Sequence, residues 1–132
     1  MSEHGSAEIN GFAAVLGVAD VGAAVAHYRE VLGFAVEFTW AEPPNYAGLR
    51  LGEACLHLAQ STRGTPSRVC FFCSGLDDLY RQLVDNGVKI TQPITVEPYN
   101  MREFWVADLD GNELIFGEPT RSHQCTPEED HS

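Results

Sequence analysis

The stretch YNMREFWVADLDGNELIFGEP, residues 99–119, reads as two strands joined by a tight turn. Phe104 and Val106 alternate with Glu103, Trp105 and Ala107, so the two sets face opposite sides of a sheet. Leu114 and Phe116 resume the alternation after the turn, and Asp108, Asp110, Gly111 and Asn112 supply the residue types that a reversal needs. One face of this hairpin is apolar and belongs to a core. The other carries Glu103 and Trp105.

Upstream of the hairpin the chain repeats itself. Asp20 precedes VGAAVAHYREVLGF, where Val21, Val25, Tyr28 and Leu32 fall at helical spacing; Asp20 suits an N-cap and Gly33 a stop. Ser74-Gly75 precedes LDDLYRQLVDNGV, where Leu76, Leu79 or Tyr80, and Leu83 form the apolar stripe. Asp77 and Asp78 suit the first turn of that helix, and Gly87 ends it. The Tyr80-Arg81 pair echoes Tyr28-Arg29. Each helix follows one apolar strand and precedes three more. The spacing predicts strands over 10–18, 34–40, 46–51 and 54–60, then over 67–73, 88–95, 102–107 and 112–117. Pro43-Pro44-Asn45 and Gly52-Glu53 mark turns. The expected fold class is therefore α+β, with tandem β-α-β-β-β modules over 9–61 and 66–118 in a single domain, 9–118. Residues 1–8 read as an unstructured N-terminus and 119–132 as an unstructured acidic tail, which holds His123 and His131.

The closing hairpin closely resembles that of the glyoxalase / bleomycin-resistance / dioxygenase superfamily, the vicinal oxygen chelate fold, in which a segment of the form YGxREFxVxDPDGNxLxFxE ends the domain. The segments FAAVLGVADVGAAVAHYREVLGF, YAGLRLGEACLHLAQ and LDDLYRQL are similar to those of the metal-free bleomycin-resistance branch in particular. The resemblance covers residues 9–118 and implies two modules whose mixed sheets curl around a cleft, usually completed across a homodimer. Three departures stand out: Asn100 where the family segment has Gly, Leu109 where it has Pro, and Trp105 inside the cleft. The first two are turn details. The third reshapes the pocket.

Composition narrows the partners. A formal net charge of −11 opposes binding to nucleic acid phosphates and mildly favours a cationic ligand. No apolar run is long enough to span a bilayer, and MSEHGSAE lacks a signal peptide's basic start and apolar centre, so the expected location is cytoplasmic. Cys70-x-x-Cys73 has the spacing of a metal or redox motif. It lies in the strand-like VCFFC, where the two thiols face opposite sides, so both read as small buried hydrophobes.

In metal-dependent relatives the resemblance implies one divalent ion held by His, Gln or Glu from the first and fourth strand of each module. Those positions fall on Ala13, His57, Arg68 (Cys70 after a slip) and Ile115. Alanine and isoleucine carry no donor, and arginine stays cationic, so no metal or other cofactor is expected. Alternation would also aim His57, Glu103 and Glu113 at one cleft, which keeps a displaced site conceivable. His57 reads as hydrogen-bonded wall, as a ligand contact or as a catalytic group; Glu103 reads as a contact for a cationic ligand or as the partner of Arg68 or Arg50.

The remaining cleft candidates are aromatic or apolar: Phe38, Trp40, Tyr46, Phe72, Tyr99, Met101 and Trp105, with Phe38 and Phe72 alternatively packed under the helices. Together with Arg50, His57, Arg68 and Glu103 they describe a site for a flat, partly apolar or cationic small molecule. The reading is reversible binding by sequestration, with a bleomycin-type antibiotic as one candidate ligand. The alternative is a lyase, isomerase or dioxygenase of the same superfamily, with His57 and Glu103 as an acid–base pair. A small-molecule sensor on the same scaffold is the third reading.

Overall fold

A computed structural model describes residues 7–61 and 66–120. The expected N-terminal and tail segments, with His123 and His131, lie largely outside those residues. The element order is β1 (Ala14–Val18), α1 (Val21–Glu30), β2 (Ala35–Trp40), β3 (Tyr46–Leu51), β4 (Ala54–Gln60), β5 (Arg68–Phe72), α2 (Leu76–Asp85), β6 (Lys89–Glu97), β7 (Met101–Ala107) and β8 (Glu113–Pro119). Each half is β-α-β-β-β. The strands form two separate four-stranded mixed sheets, ordered β1-β4-β3-β2 and β5-β8-β7-β6. In each, the first strand of the half runs parallel to the fourth and the remaining pairs are antiparallel.

The helices start and stop for local reasons. Asp20 sits in extended conformation and accepts the Ala23 amide at 3.0 Å, which satisfies one of the orphan donors of α1. Gly75 takes the N-cap of α2 at φ +71 without a side-chain cap, and its amide donates to Glu118 Oε2 at 3.0 Å instead. Asp77 in the first turn binds Arg102 of β7 at 2.9 Å, which also reaches Glu118 at 3.2 Å. One apolar cluster lies beneath both helices and joins the halves through Phe34, Phe71, Phe116 and Phe104, each ring 5.1–5.9 Å from the next.

Three boundaries differ from the periodic reading by two residues or more, and one of them is the end of β8, which pairs with β7 as far as Pro119, the first residue of the expected tail. β1 begins at Ala14, not residue 10, because it is an edge strand whose pairing to β4 begins at Ala14–Leu56, leaving 10–13 unpaired. β6 runs on to Glu97 despite Pro93. It too is an edge strand, and its register shifts between Gln92 and Thr95 absorb the missing donor. The internal repeat is also shifted. The buried stripe Val21, Ala24, Val25, Tyr28 corresponds to Leu76, Leu79, Tyr80, Leu83, so the counterpart of Tyr28 is Leu83 and not Tyr80. Tyr80 packs edge-on against Phe104 at 5.0 Å.

The halves are tied by the β7–β8 turn. Tyr28 donates its hydroxyl to Asp108 Oδ2 at 2.8 Å, and the Ala19 amide donates to Asp110 Oδ1 at 2.9 Å. Asn112 spans both halves, donating to the Gly17 carbonyl at 3.1 Å while accepting the Ser67 amide at 2.8 Å. Asp108 and Asn112 are buried polar residues with partners throughout, as their desolvation requires.

Candidate functional site

Strand alternation puts the helices and core on one face of each sheet and leaves the other face open. On the first sheet the open face carries Tyr46, Gly48 and Arg50 from β3, Cys55 and His57 from β4, and Phe38 from β2. Tyr46 Oη and His57 Nδ1 share a hydrogen bond of 2.9 Å, which orients the imidazole and leaves Nε2 for an incoming group. Phe38 and Tyr46 are near-parallel, 19° apart, and both meet the His57 ring edge-on, at 5.5 and 5.4 Å. This packing depends on Gly48, where a Cβ would lie 2.2 Å from Phe38 Cε2. Trp40 is the cross-strand neighbour of Tyr46 and is 70% exposed. The Arg50 guanidinium is bound by Glu37 at 2.7 Å, not by Glu103.

The open face of the second sheet is built around a carboxylate. Glu103 is only 4% exposed, and one oxygen, Oε2, accepts from Tyr99 Oη at 2.8 Å and from Trp105 Nε1 at 3.0 Å. Partial desolvation of the Tyr99 hydroxyl, and then its bond to Glu103, push that phenol up to about 12. Neither donor is cationic. The expected pairing of Glu103 with an arginine therefore does not form: Arg68 binds Glu113 at 2.9 Å and lays its guanidinium 4.8 Å from the centre of the Trp105 ring. Asn100 adopts φ +66, a conformation asparagine tolerates, which lets the chain turn Tyr99 back over Glu103 without the family's glycine. Met101 belongs to this face but is buried, with its Cε filling the space over Gly117 that a Cβ would take. Phe72 is 59% exposed, so neither it nor Phe38 packs under a helix.

The sequence-based candidates thus fall into two groups, Phe38, Trp40, Tyr46, Arg50 and His57 on one sheet and Arg68, Tyr99, Met101, Glu103 and Trp105 on the other. Phe72 shares the open face of β5 with Arg68 and Cys70, at the far end of the strand, where it pairs with Gly117. His57 and Glu103 bind different partners on different sheets and do not form an acid–base pair within one chain. Gly48 and Gly117 were not legible as site residues, because only the cross-strand register shows which ring lies over them. Cys70 faces the Glu103 side and is exposed, not the small buried hydrophobe expected, because the open face of its sheet is uncovered; Cys73, half-buried, packs against the core. Burial raises both thiols above their ordinary range, with Glu103 adding to the shift at Cys70 and Glu118 at Cys73.

The donor set does not fit a divalent ion. Of the four metal positions implied by the resemblance, the side chains of Ala13 and Ile115 offer no lone pair and the cationic Arg68 is committed to Glu113, so only His57, through Nε2, has a donor to give, and one imidazole does not hold a divalent ion. Among the described residues no three His, Cys, Asp or Glu side chains converge, so His57, Glu103 and Glu113 do not make a displaced site.

The model of the Glyoxalase/Bleomycin resistance protein/Dioxygenase superfamily matches residues 9–116. The chain belongs to this superfamily. Solved members share its architecture. TioX from Micromonospora sp. ML1 superposes with a TM-score of 0.73 at 21% identity, over 81% of this chain and 96% of that one. The bleomycin-binding protein of Streptomyces verticillus, solved with copper(II)-bleomycin, gives 0.67 at 25% identity, over 83% and 96%. Lactoylglutathione lyase from Agrobacterium tumefaciens gives 0.68 at 20% identity, over 86% and 93%. No curated protein matches the chain significantly. A bleomycin-binding protein and a lyase therefore share one scaffold, and the side chains of the open faces must distinguish such functions. No helix among the described residues is long and apolar enough to cross a membrane.

Proposed function

We propose that this superfamily member binds a small molecule reversibly and without metal, holding an aromatic, cationic ligand between the open faces of its sheets. The observation that carries the reading is Glu103. A carboxylate this buried needs a compensating charge, and its two bound donors, Tyr99 and Trp105, are both neutral. A ligand ammonium or guanidinium seated beside the Trp105 and Tyr99 rings supplies that charge and gains from the ring faces. The Phe38–Tyr46–His57 wall offers a second aromatic surface with a free imidazole nitrogen for the ligand's polar end. Within one chain the two faces belong to separate four-stranded sheets. A homodimer that sets the first sheet of one protomer against the second sheet of its partner would complete the cleft. The likeness to a bleomycin-binding protein supports a bulky cationic antibiotic as one ligand class.

The test begins with elemental analysis of untagged protein before and after loading with zinc, nickel, manganese and iron. Isothermal titration with metal-free and copper-loaded bleomycin and with smaller aromatic cations follows. Binding that weakens by about tenfold or more in Glu103→Gln, without loss of fold, is the expected result. Near-stoichiometric metal that is lost in His57→Ala, together with lyase or dioxygenase turnover, would overturn it.

A further inference from the structure

The two halves repeat one strand order, but they join unequally. β7 and β8 are connected by five residues, Asp108–Asn112, whereas β3 and β4 are connected by two, Gly52 and Glu53. The long turn fills the junction between the end of β1 and the start of β5 with the buried, hydrogen-bonded Asp108 and Asn112. The short turn leaves the corresponding junction, between the end of β5 and the start of β1, unfilled by any of the described residues. A cavity of about 1050 Å³ opens there. Its floor is Phe71 of β5, Leu79 of α2 and Phe116 of β8, with Leu51 and Ala54 flanking the turn. The clasp has no counterpart here either, because Leu83 stands where Tyr28 would be, and a leucine cannot donate a hydrogen bond.

We propose that this junction cavity is a second binding site, for a neutral and mainly apolar small molecule. Its volume is that of a ligand pocket, and its walls are apolar with few polar groups. Of the charged residues at its rim, Arg50 is already neutralised by Glu37 at 2.7 Å and also donates to the Gly52 carbonyl at 3.4 Å, so the cavity does not call for an anion. Arg50, Cys55, Cys70 and Phe72 carry the cavity to the edges of the two open faces, but neither His57 nor Glu103 nor the rings bonded or stacked on them line it, and the inference does not rest on the cation-binding reading of those faces. Three free thiols, Cys55, Cys70 and Cys73, border the cavity and serve as built-in reporters of its occupancy.

The experiment titrates full-length protein with the neutral fluorophore N-phenyl-1-naphthylamine. Saturable binding near one probe per chain is expected, and Ala54→Phe, or the milder Ala54→Leu if the first does not fold, weakens it about tenfold by filling the space. Glu103→Gln leaves probe binding unchanged, while Ala54→Phe leaves titrations with aromatic cations unchanged. Bound probe slows alkylation of Cys55 and Cys73, read peptide by peptide by mass spectrometry, about fivefold or more. Three results would overturn the proposal: no saturable binding, binding lost in Glu103→Gln but not in the Ala54 variants, or an Ala54→Phe protein that changes from dimer to monomer in sedimentation, which would show that a second copy covers the cavity.

Discussion

Removing one oxygen from the Tyr28–Asp108 clasp tests whether the tie between the halves is as strong as its geometry implies. Tyr28→Phe keeps the ring, which packs edge-on against Phe34 at 5.3 Å, so no cavity opens. What is lost is one hydrogen bond of 2.8 Å to a buried carboxylate. Bonds to charged groups contribute about 1.5–3 kcal/mol. Asp108 retains Asn112 Nδ2 on the same oxygen, and the Asp110 and Asn112 amides on the other, which places the loss at the lower end, about 1.5–2 kcal/mol. For a chain of this size that lowers Tm by about 5–7 °C. Urea unfolding followed by circular dichroism at matched protomer concentration measures it. Burial, and then the neighbouring Asp108, hold the Tyr28 phenol far above the ordinary tyrosine range. A raised tyrosine contributes its stabilisation in full below the unfolded value and loses it only as pH rises past that value. The difference between wild type and variant is therefore flat from neutral pH up to about 10. A loss smaller than about 0.5 kcal/mol, within the range of a surface substitution, would refute the argument that this bond clasps the halves.

The two glycines under the open faces predict contrasting outcomes. In Gly48→Ala the new methyl displaces the Phe38 ring, which is 43% exposed and can swing outward, so stability falls by less than about 1 kcal/mol while the His57 proton shifts in NMR lose the ring-current contribution of Phe38. In Gly117→Ala the methyl meets the buried Met101 Cε at 2.5 Å, and the overpacking costs about 1–3 kcal/mol in the same urea assay. An alkaline absorbance titration resolves one tyrosine, Tyr99, ionising near 12, and Glu103→Gln moves it back toward the ordinary value. Its contribution to stability is complete below the ordinary tyrosine range and disappears as pH rises through about 12; an unchanged midpoint in Glu103→Gln would show that the bond to Glu103 plays no part.

Much of the architecture was legible because it rests on local rules. The alternation of Phe104 and Val106 with Glu103 and Trp105, the N-cap at Asp20 and the glycines at 33, 87 and 111, all at positive φ, each act through neighbours a few residues away. The repeat announced two β-α-β-β-β halves, although the tyrosine pair misaligned them, since burial and not residue identity determines which helical positions correspond. Alternation also pointed His57, Glu103 and Trp105 toward the cleft, while Phe38 stayed open between cleft and core.

What those side chains bind was decided only in three dimensions. Arg50 and Arg68 were available to Glu103 in the sequence, yet each found a nearer acid, Glu37 across the β2–β3 pair and Glu113 on the adjoining strand. Glu103 instead took the two neutral donors that β7 and its approach hold over it, and forms no ion pair among the described residues. The junction cavity is likewise invisible along the chain. Two residues at one turn and five at the other are unremarkable apart, and become a difference in volume only when the packing of the two halves brings each turn to a junction between them. The sequence by itself determined periodicity, caps and turns, because those energies are short-ranged. The tertiary structure decided charge pairing and empty space, because both depend on which distant strands lie side by side.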